Sequence, residues 1–181
     1  MTFLALDVAT RVGWAMWDPN WPKPLYGTKI LPGEKGEIGR KCTYLHRHLA
    51  DLHAMSPITR IYFEAAIRPE GLSGFTNIDT IKLLSGLTAH CESFAYVINA
   101  RCREVPNTAW KKHFIGRGIR RGTNLSAGEF KKLSVVRCQE MGFAPPDTDC
   151  ADALGILDYA IHLSEIVPPW RDAHLLRREL A

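Results

Sequence analysis

The sequence has no apolar run of the ~18 residues that a membrane-spanning helix needs, so no membrane partner is expected. It has no C-x-x-C pair, and its five cysteines, at positions 42, 91, 102, 138 and 150, are scattered and odd in number. That pattern argues against a cysteine zinc site and fits free thiols in a reducing, cytoplasmic setting, with Cys150 as a small buried residue. The opening Met1-Thr-Phe-Leu-Ala-Leu-Asp7 lacks a basic stretch and soon reaches an acid, which is not the pattern of a signal peptide. There is no internal repeat and no low-complexity segment. Gly116-Arg-Gly-Ile-Arg-Arg-Gly122 is rich in glycine, yet it follows no strand. Its spacing matches neither the phosphate-binding loop nor the dinucleotide fingerprint.

What is present fits one globular domain. The 181 residues are 46% hydrophobic and 23% charged, enough to bury a core without staples. The division expected is a domain over 1–167 and a C-terminal tail over 168–181. Net charge is only +4, but residues 101–140 hold ten Lys or Arg against three Glu. A basic third beside acidic patches points to a polyanion partner. Its candidate polyanion-binding cations are Lys111, Lys112, Arg117, Arg120, Arg121, Lys131 and Lys132.

Local patterns predict the elements in order. Thr2 to Asp7 reads as a buried strand ending on an acid, and Val12 to Trp17 as a second. Three prolines between Asp18 and Pro24 forbid ladder bonding and make a turn. Leu25 to Ile30 completes an antiparallel meander. Ile38, Cys42, Leu45, Leu49 and Leu52 recur at helical spacing and predict a helix from Glu37 to Met55. Its histidines, His46, His48 and His53, offer no i, i+4 pair for zinc and are read as facing solvent. Arg60 to Glu64 is a strand that again ends on an acid, followed by a loop over Ala65–Asn77. A helix over Ile78–Tyr96, a strand over Val97–Val105, a short helix opened by Pro106 and a basic helix over Ser126–Met141 follow. Asp147 is then placed to cap a last helix whose apolar body is Ala151 to Ile161. The fold class expected is α/β, a mixed sheet flanked by helices.

In that layout Asp7 and Glu64 end strands that can share one sheet edge, where sites of α/β folds gather. Asp149 and Asp152, three residues apart, share a face at the start of the last helix. Taken alone they suit the positive end of the helix dipole and need no function. Four carboxylates brought together repel one another unless cations neutralise them. Oxygen ligands alone suit Mg²⁺, with Mn²⁺ as a substitute, better than zinc or copper. Two such ions ~4 Å apart are the recurring device for phosphodiester hydrolysis, and the basic segment would hold the phosphate backbone.

Leu4-Ala-Leu-Asp7 with Thr10-Arg-Val-Gly13, then Ile61-Tyr-Phe-Glu64, then Asp149-Cys-Ala-Asp-Ala-Leu154 resemble the catalytic motifs of the RuvC-type Holliday-junction resolvases. These belong to the RNase H-like, or retroviral-integrase, superfamily. The resemblance runs to about Ile161 and implies an RNase H-like mixed five-stranded sheet. It also implies a homodimer that nicks four-way DNA junctions with Mg²⁺. It makes Asp7, Glu64, Asp149 and Asp152 the catalytic metal ligands and Lys111 a cleft lysine, with a second at Lys131 or Lys132. It offers Phe75 as the aromatic that wedges into the junction. The Trp/Pro-rich turn, the longer basic loop and the tail depart from the family pattern, as in relatives encoded by phages or prophages. The cell expected is bacterial or phage-infected. Other readings remain: a branched-DNA-binding module without catalysis, and an RNase H-like nuclease acting on another nucleic acid. Sugar kinases and actin-like ATPases share a similar first strand, but they need two such domains.

Overall fold

The computed structural model describes residues 1–65, 78–116 and 127–171. Arg117, Arg120, Arg121 and Phe75 lie outside the described residues, as do the loop after Glu64 and most of the tail.

Five strands form one mixed sheet: β1 (Thr2–Asp7), β2 (Arg11–Trp17), β3 (Leu25–Ile30), β4 (Ile58–Glu64) and β5 (Arg101–Val105). Their order across the sheet is β3-β2-β1-β4-β5. The β1–β2–β3 meander is antiparallel, whereas β4 runs parallel to β1 and β5 parallel to β4. This is the mixed five-stranded sheet that the resemblance implies. Among the described residues the helices are α1 (Ile38–Met55), α2 (Ile78–Val97), α3 (Asn107–Ile115), α4 (Ala127–Glu140) and α5 (Thr148–His162).

The central strand β1 is buried on both faces, and strand alternation divides its side chains between two cores. Leu4 and Leu6 meet Leu45, Leu49 and Leu52 of α1 and Leu87 and Phe94 of α2. Phe3 and Ala5 face the other way, against Trp110 of α3 and Ile156, Leu157 and Ala160 of α5. Each such side chain contributes about 1.5–3 kcal/mol by leaving water. The helix α5 is buried almost throughout, and Gly155 makes this possible: a Cβ there would stand 2.6 Å from the Trp110 ring.

Three local readings need correction. The fifth strand begins at Arg101, not Val97, because α2 runs on to Val97 and ends where Asn99 takes a positive φ of 56°. His48 does not face solvent: it is buried, edge-on to Trp14. Burial pushes its imidazole down to about 4. His53 is half-buried and accepts the Ile58 N–H through Nδ1 at 3.1 Å, joining α1 to β4. His46 alone of the three is exposed. Beyond residue 167, Trp170 is buried in the core, edge-on to Trp17 and Phe143.

Candidate functional site

The two strand-end acids meet because β1 and β4 are parallel. Leu6 is paired with Phe63, so Asp7 and Glu64 leave the sheet side by side. On its other side Asp7 is paired with Gly13 of β2. That glycine admits the third element: a Cβ on Gly13 would lie 1.9 Å from the Asp149 carbonyl oxygen. The first turn of α5 therefore rests on bare backbone beside Asp7, and this contact delivers Asp149 and Asp152.

The start of α5 is tied down by Asp147. Its side chain caps the helix by accepting the Cys150 N–H at 2.9 Å. It also accepts Thr28 Oγ1 of β3 at 2.7 Å and Arg11 Nη2 of β2 at 2.9 Å. Arg11 reaches further, with Nε 3.6 Å from Asp149. Asp147, Arg11 and Thr28 were not among the residues marked for the site itself. The capping aspartate is legible in the sequence, but its partners on two strands are not.

Glu64 is held from the opposite side. Asn107 Nδ2 and Trp110 Nε1 of α3 both donate to its carboxylate, the latter at 3.1 Å. Neither residue was singled out from the sequence for this. The position of Asn107 in the first turn after Pro106 is its only local signal.

The other three acids lie within electrostatic reach of Asp7. Burial, then the charges of Glu64, Asp152 and Asp149, raise the Asp7 carboxyl from 3.8 to about 7, partly countered by Lys131. Burial likewise raises Asp152 to about 6, against a hydrogen bond from Ser134 and the charges of Lys111 and Lys131. Asp152 is only 4% exposed, and its Oδ1 has no hydrogen-bond partner among the described residues. A buried carboxylate oxygen left unpaired in this way is costly. Lys131 Nζ sits 2.9 Å from Asp149 Oδ1. Burial alone would lower its pKa, but Asp149, Asp152 and Asp7 raise it.

The basic side chains divide. Lys131 joins the acids, while Lys132 is exposed and makes no such contact with them. Lys111 is half-buried, its ammonium 5.1 Å from the Trp110 ring and close enough to bias Asp152; Lys112 is exposed.

The donor set suits a hard divalent cation: oxygens only, mutually repelling, one of them orphaned. As placed, no three acidic, imidazole or thiol side chains among the described residues stand together as ligands of an ion. The reason is visible in the hydrogen bonds. Glu64 is turned onto α3, and Asp149 onto Lys131 and Arg11. Asp7 and Asp152 are the two acids whose carboxyls are raised, by burial first and then by the charge of neighbouring acids.

No family model matches the sequence, and no curated protein matches it. Solved structures do match. A Thermus thermophilus RuvC in complex with Holliday junction substrate is similar over 87% of this chain and 90% of that one, with a TM-score of 0.63 at 12% identity. The fold is that of the RuvC-type resolvases. A second T. thermophilus RuvC structure covers 91% of this chain and 96% of its own, with a TM-score of 0.58 at 15% identity. The yeast mitochondrial Holliday junction resolvase Ydc2 covers 98% and 82%, with a TM-score of 0.58 at 10% identity. The RuvC-type fold thus extends over nearly the whole chain. These similar structures are bacterial and mitochondrial and lend no support to a phage origin.

Proposed function

We propose that this chain is a Mg²⁺-dependent, structure-selective DNA endonuclease that nicks Holliday junctions or other branched DNA. Its acids and lysines would act as a homodimer's paired sites in the cytoplasm. One observation carries the reading: in a RuvC-type fold, Asp7 and Glu64 end neighbouring parallel strands, and the first turn of α5, which bears Asp149 and Asp152, rests on Gly13 beside Asp7.

Asp7, Glu64, Asp149 and Asp152 would hold two divalent ions, which supply an activated water and neutralise charge on the departing oxygen. The chain's own residues do the rest. Asn107 and Trp110 fix the direction of Glu64 from behind. Asp147 fixes the height of α5 over β2, and with it Asp149 and Asp152. Lys131 donates to Asp149 at 2.9 Å and, from α4, would also meet a backbone phosphate. Lys111, Lys112 and Lys132 line the approach from α3 and α4 as phosphate contacts.

The engagement of Glu64 and Asp149 by protein donors favours a second reading, a branched-DNA-binding module without catalysis. A nicking assay separates the two. The substrates are a synthetic four-way junction, linear duplex, a flap and an RNA–DNA hybrid, each with and without Mg²⁺. Symmetric Mg²⁺-dependent nicks in the junction support the resolvase; flap or fork cutting indicates a debranching nuclease. Hybrid cutting indicates an RNase H-like activity. Tight junction binding with no cutting leaves the silent module.

A further inference from the structure

Beside the four acids, and separate from them, lies a cavity of about 690 Å³. It opens between the ends of β2 and β3, the loop over 31–37 and the first turns of α1 and α2. Its volume falls within the ~300–1,000 Å³ of small-ligand pockets, room for one nucleotide and not for a duplex.

The lining has two characters. The cations Arg11, Lys35, Lys41 and Lys82 face it against two acids, Glu37 and Asp79. Lys41 is buried and committed to the loop: its Nζ donates to the Gly33 and Glu34 carbonyls at 2.7 and 2.6 Å. Lys41 therefore shapes the rim and adds charge without contacting a ligand. Lys35 is 77% exposed and only 3.8 Å from an exposed Asp79 carboxylate, a contact too weak to withhold it from an anion. The wall between these cations is apolar. It includes Leu31, Leu83 and Ile30, the last left 65% exposed. A cationic rim over an apolar wall fits an anionic ligand with a flat apolar body.

Arg11 links this cavity to the acids. It lines the cavity while its guanidinium reaches Asp147 at 2.9 Å and Asp149 at 3.6 Å. A DNA strand whose phosphate lies over Asp149 would meet Arg11 at the edge of the cavity.

We propose that this cavity receives one unpaired nucleotide of the substrate strand, next to the phosphate to be cut. Its phosphate would lie on Arg11, Lys35 and Lys82, and its base against Ile30 and Leu83. The enzyme would draw a base out of the stack at the branch, where unstacking is cheapest. The proposal rests on the reading of the four acids as a DNA nuclease.

Two probes carrying 2-aminopurine test it: a four-way junction labelled on either side of the nick, and a short single strand. Both are bound by wild-type protein in EDTA, then by Ile30→Glu and Lys82→Glu, which alter exposed side chains outside the group of acids. Nicking in Mg²⁺ is measured in parallel. The expected result is a rise in 2-aminopurine fluorescence on binding, lost in Ile30→Glu. Single-strand affinity should fall roughly tenfold in that variant. In Lys82→Glu the slope of log K against log salt should drop by at least about one. If junctions are nicked but the fluorescence rise is absent, or persists in both variants, the nucleotide pocket is overturned while the nuclease reading stands. If the single strand binds through Ile30 and Lys82 but nothing is nicked, the pocket stands and the nuclease reading fails. If neither probe binds, both fall.

Discussion

Gly13 of β2 and Asp149 of α5 touch backbone to backbone, leaving no room for a methyl group between them. The partner is a main-chain carbonyl in a capped helix turn, so it cannot swing aside as a flexible side chain would. Gly13→Ala should therefore lift the start of α5 and cost at least about 1–3 kcal/mol, the usual penalty for overpacking. Urea denaturation measures the cost. A wild-type midpoint would show that α5 does not bear on β2 at this point.

Asp7→Asn should abolish nicking while preserving or tightening junction binding, because it removes a ligand oxygen and a negative charge together. Single-turnover cleavage and a gel-shift titration report the two effects separately. Normal cleavage by Asp7→Asn would mean that the site assignment is wrong.

The raised carboxyls make a prediction about pH. Asp7 moves from 3.8 to about 7 on folding, so the charged form is the one that folding disfavours. The contribution of Asp7 to the stability of the metal-free protein is accordingly full below about 4 and is lost as pH rises through about 7. Asp152, raised to about 6, acts in the same sense. A divalent ion competes with these protons for the same oxygens. Added Mg²⁺ should shift thermal denaturation little near pH 5 and clearly near pH 8, with EDTA reversing the shift. An equal shift at both values would argue that the carboxyls do not hold the ion.

Lys111→Ala should weaken binding to junctions of any sequence and reduce the salt slope by about one, as expected for a phosphate contact. Fluorescence anisotropy over a series of salt concentrations gives that slope. An unchanged slope would remove Lys111 from the DNA surface.

Asp158 concerns stability rather than catalysis. It is 3% exposed and meets His113 Nε2 at 2.9 Å, Trp170 Nε1 at 3.2 Å and Arg171 Nε at 3.0 Å. Burial would raise its carboxyl, but His113 and Arg171 hold it below the usual carboxylate range. Asp158→Ala leaves the Arg171 guanidinium without its carboxylate and His113 of α3 without this hydrogen-bond partner, and should cost about 3–5 kcal/mol. A loss well under 1 kcal/mol in chemical denaturation would show that residues 170–171 do not depend on it.

The elements that could be read from local patterns are those whose signal repeats within a few residues. The helix over Ile38–Met55 shows a 3.6-residue stripe, and its predicted start is one residue early. The strand over Leu25–Ile30 matches its prediction at both ends. The cap of α5 could also be read, because Asp147 acts on an N–H three residues away. The fifth strand starts later than expected because β-branched Val97 favours a strand, whereas α2 runs on through it. The turn at Asn99, where Ala100 N–H meets the Ala95 carbonyl, ends the helix.

The sequence by itself determined the two strand-end acids, the acidic pair on α5 and the alternation that buries β1 on both faces. These depend on residue type and on periods of two and 3.6. Only the tertiary structure decided what surrounds them. Arg11 finds Asp147 across 136 residues, and Asn107 finds Glu64 across 43. His48 is buried because Trp14 lies over it, and Lys131 rather than Lys132 turns toward Asp149. The physical reason is that a local pattern specifies which face of an element is apolar. Which polar groups then meet depends on how the elements pack, and no nearby residue records that.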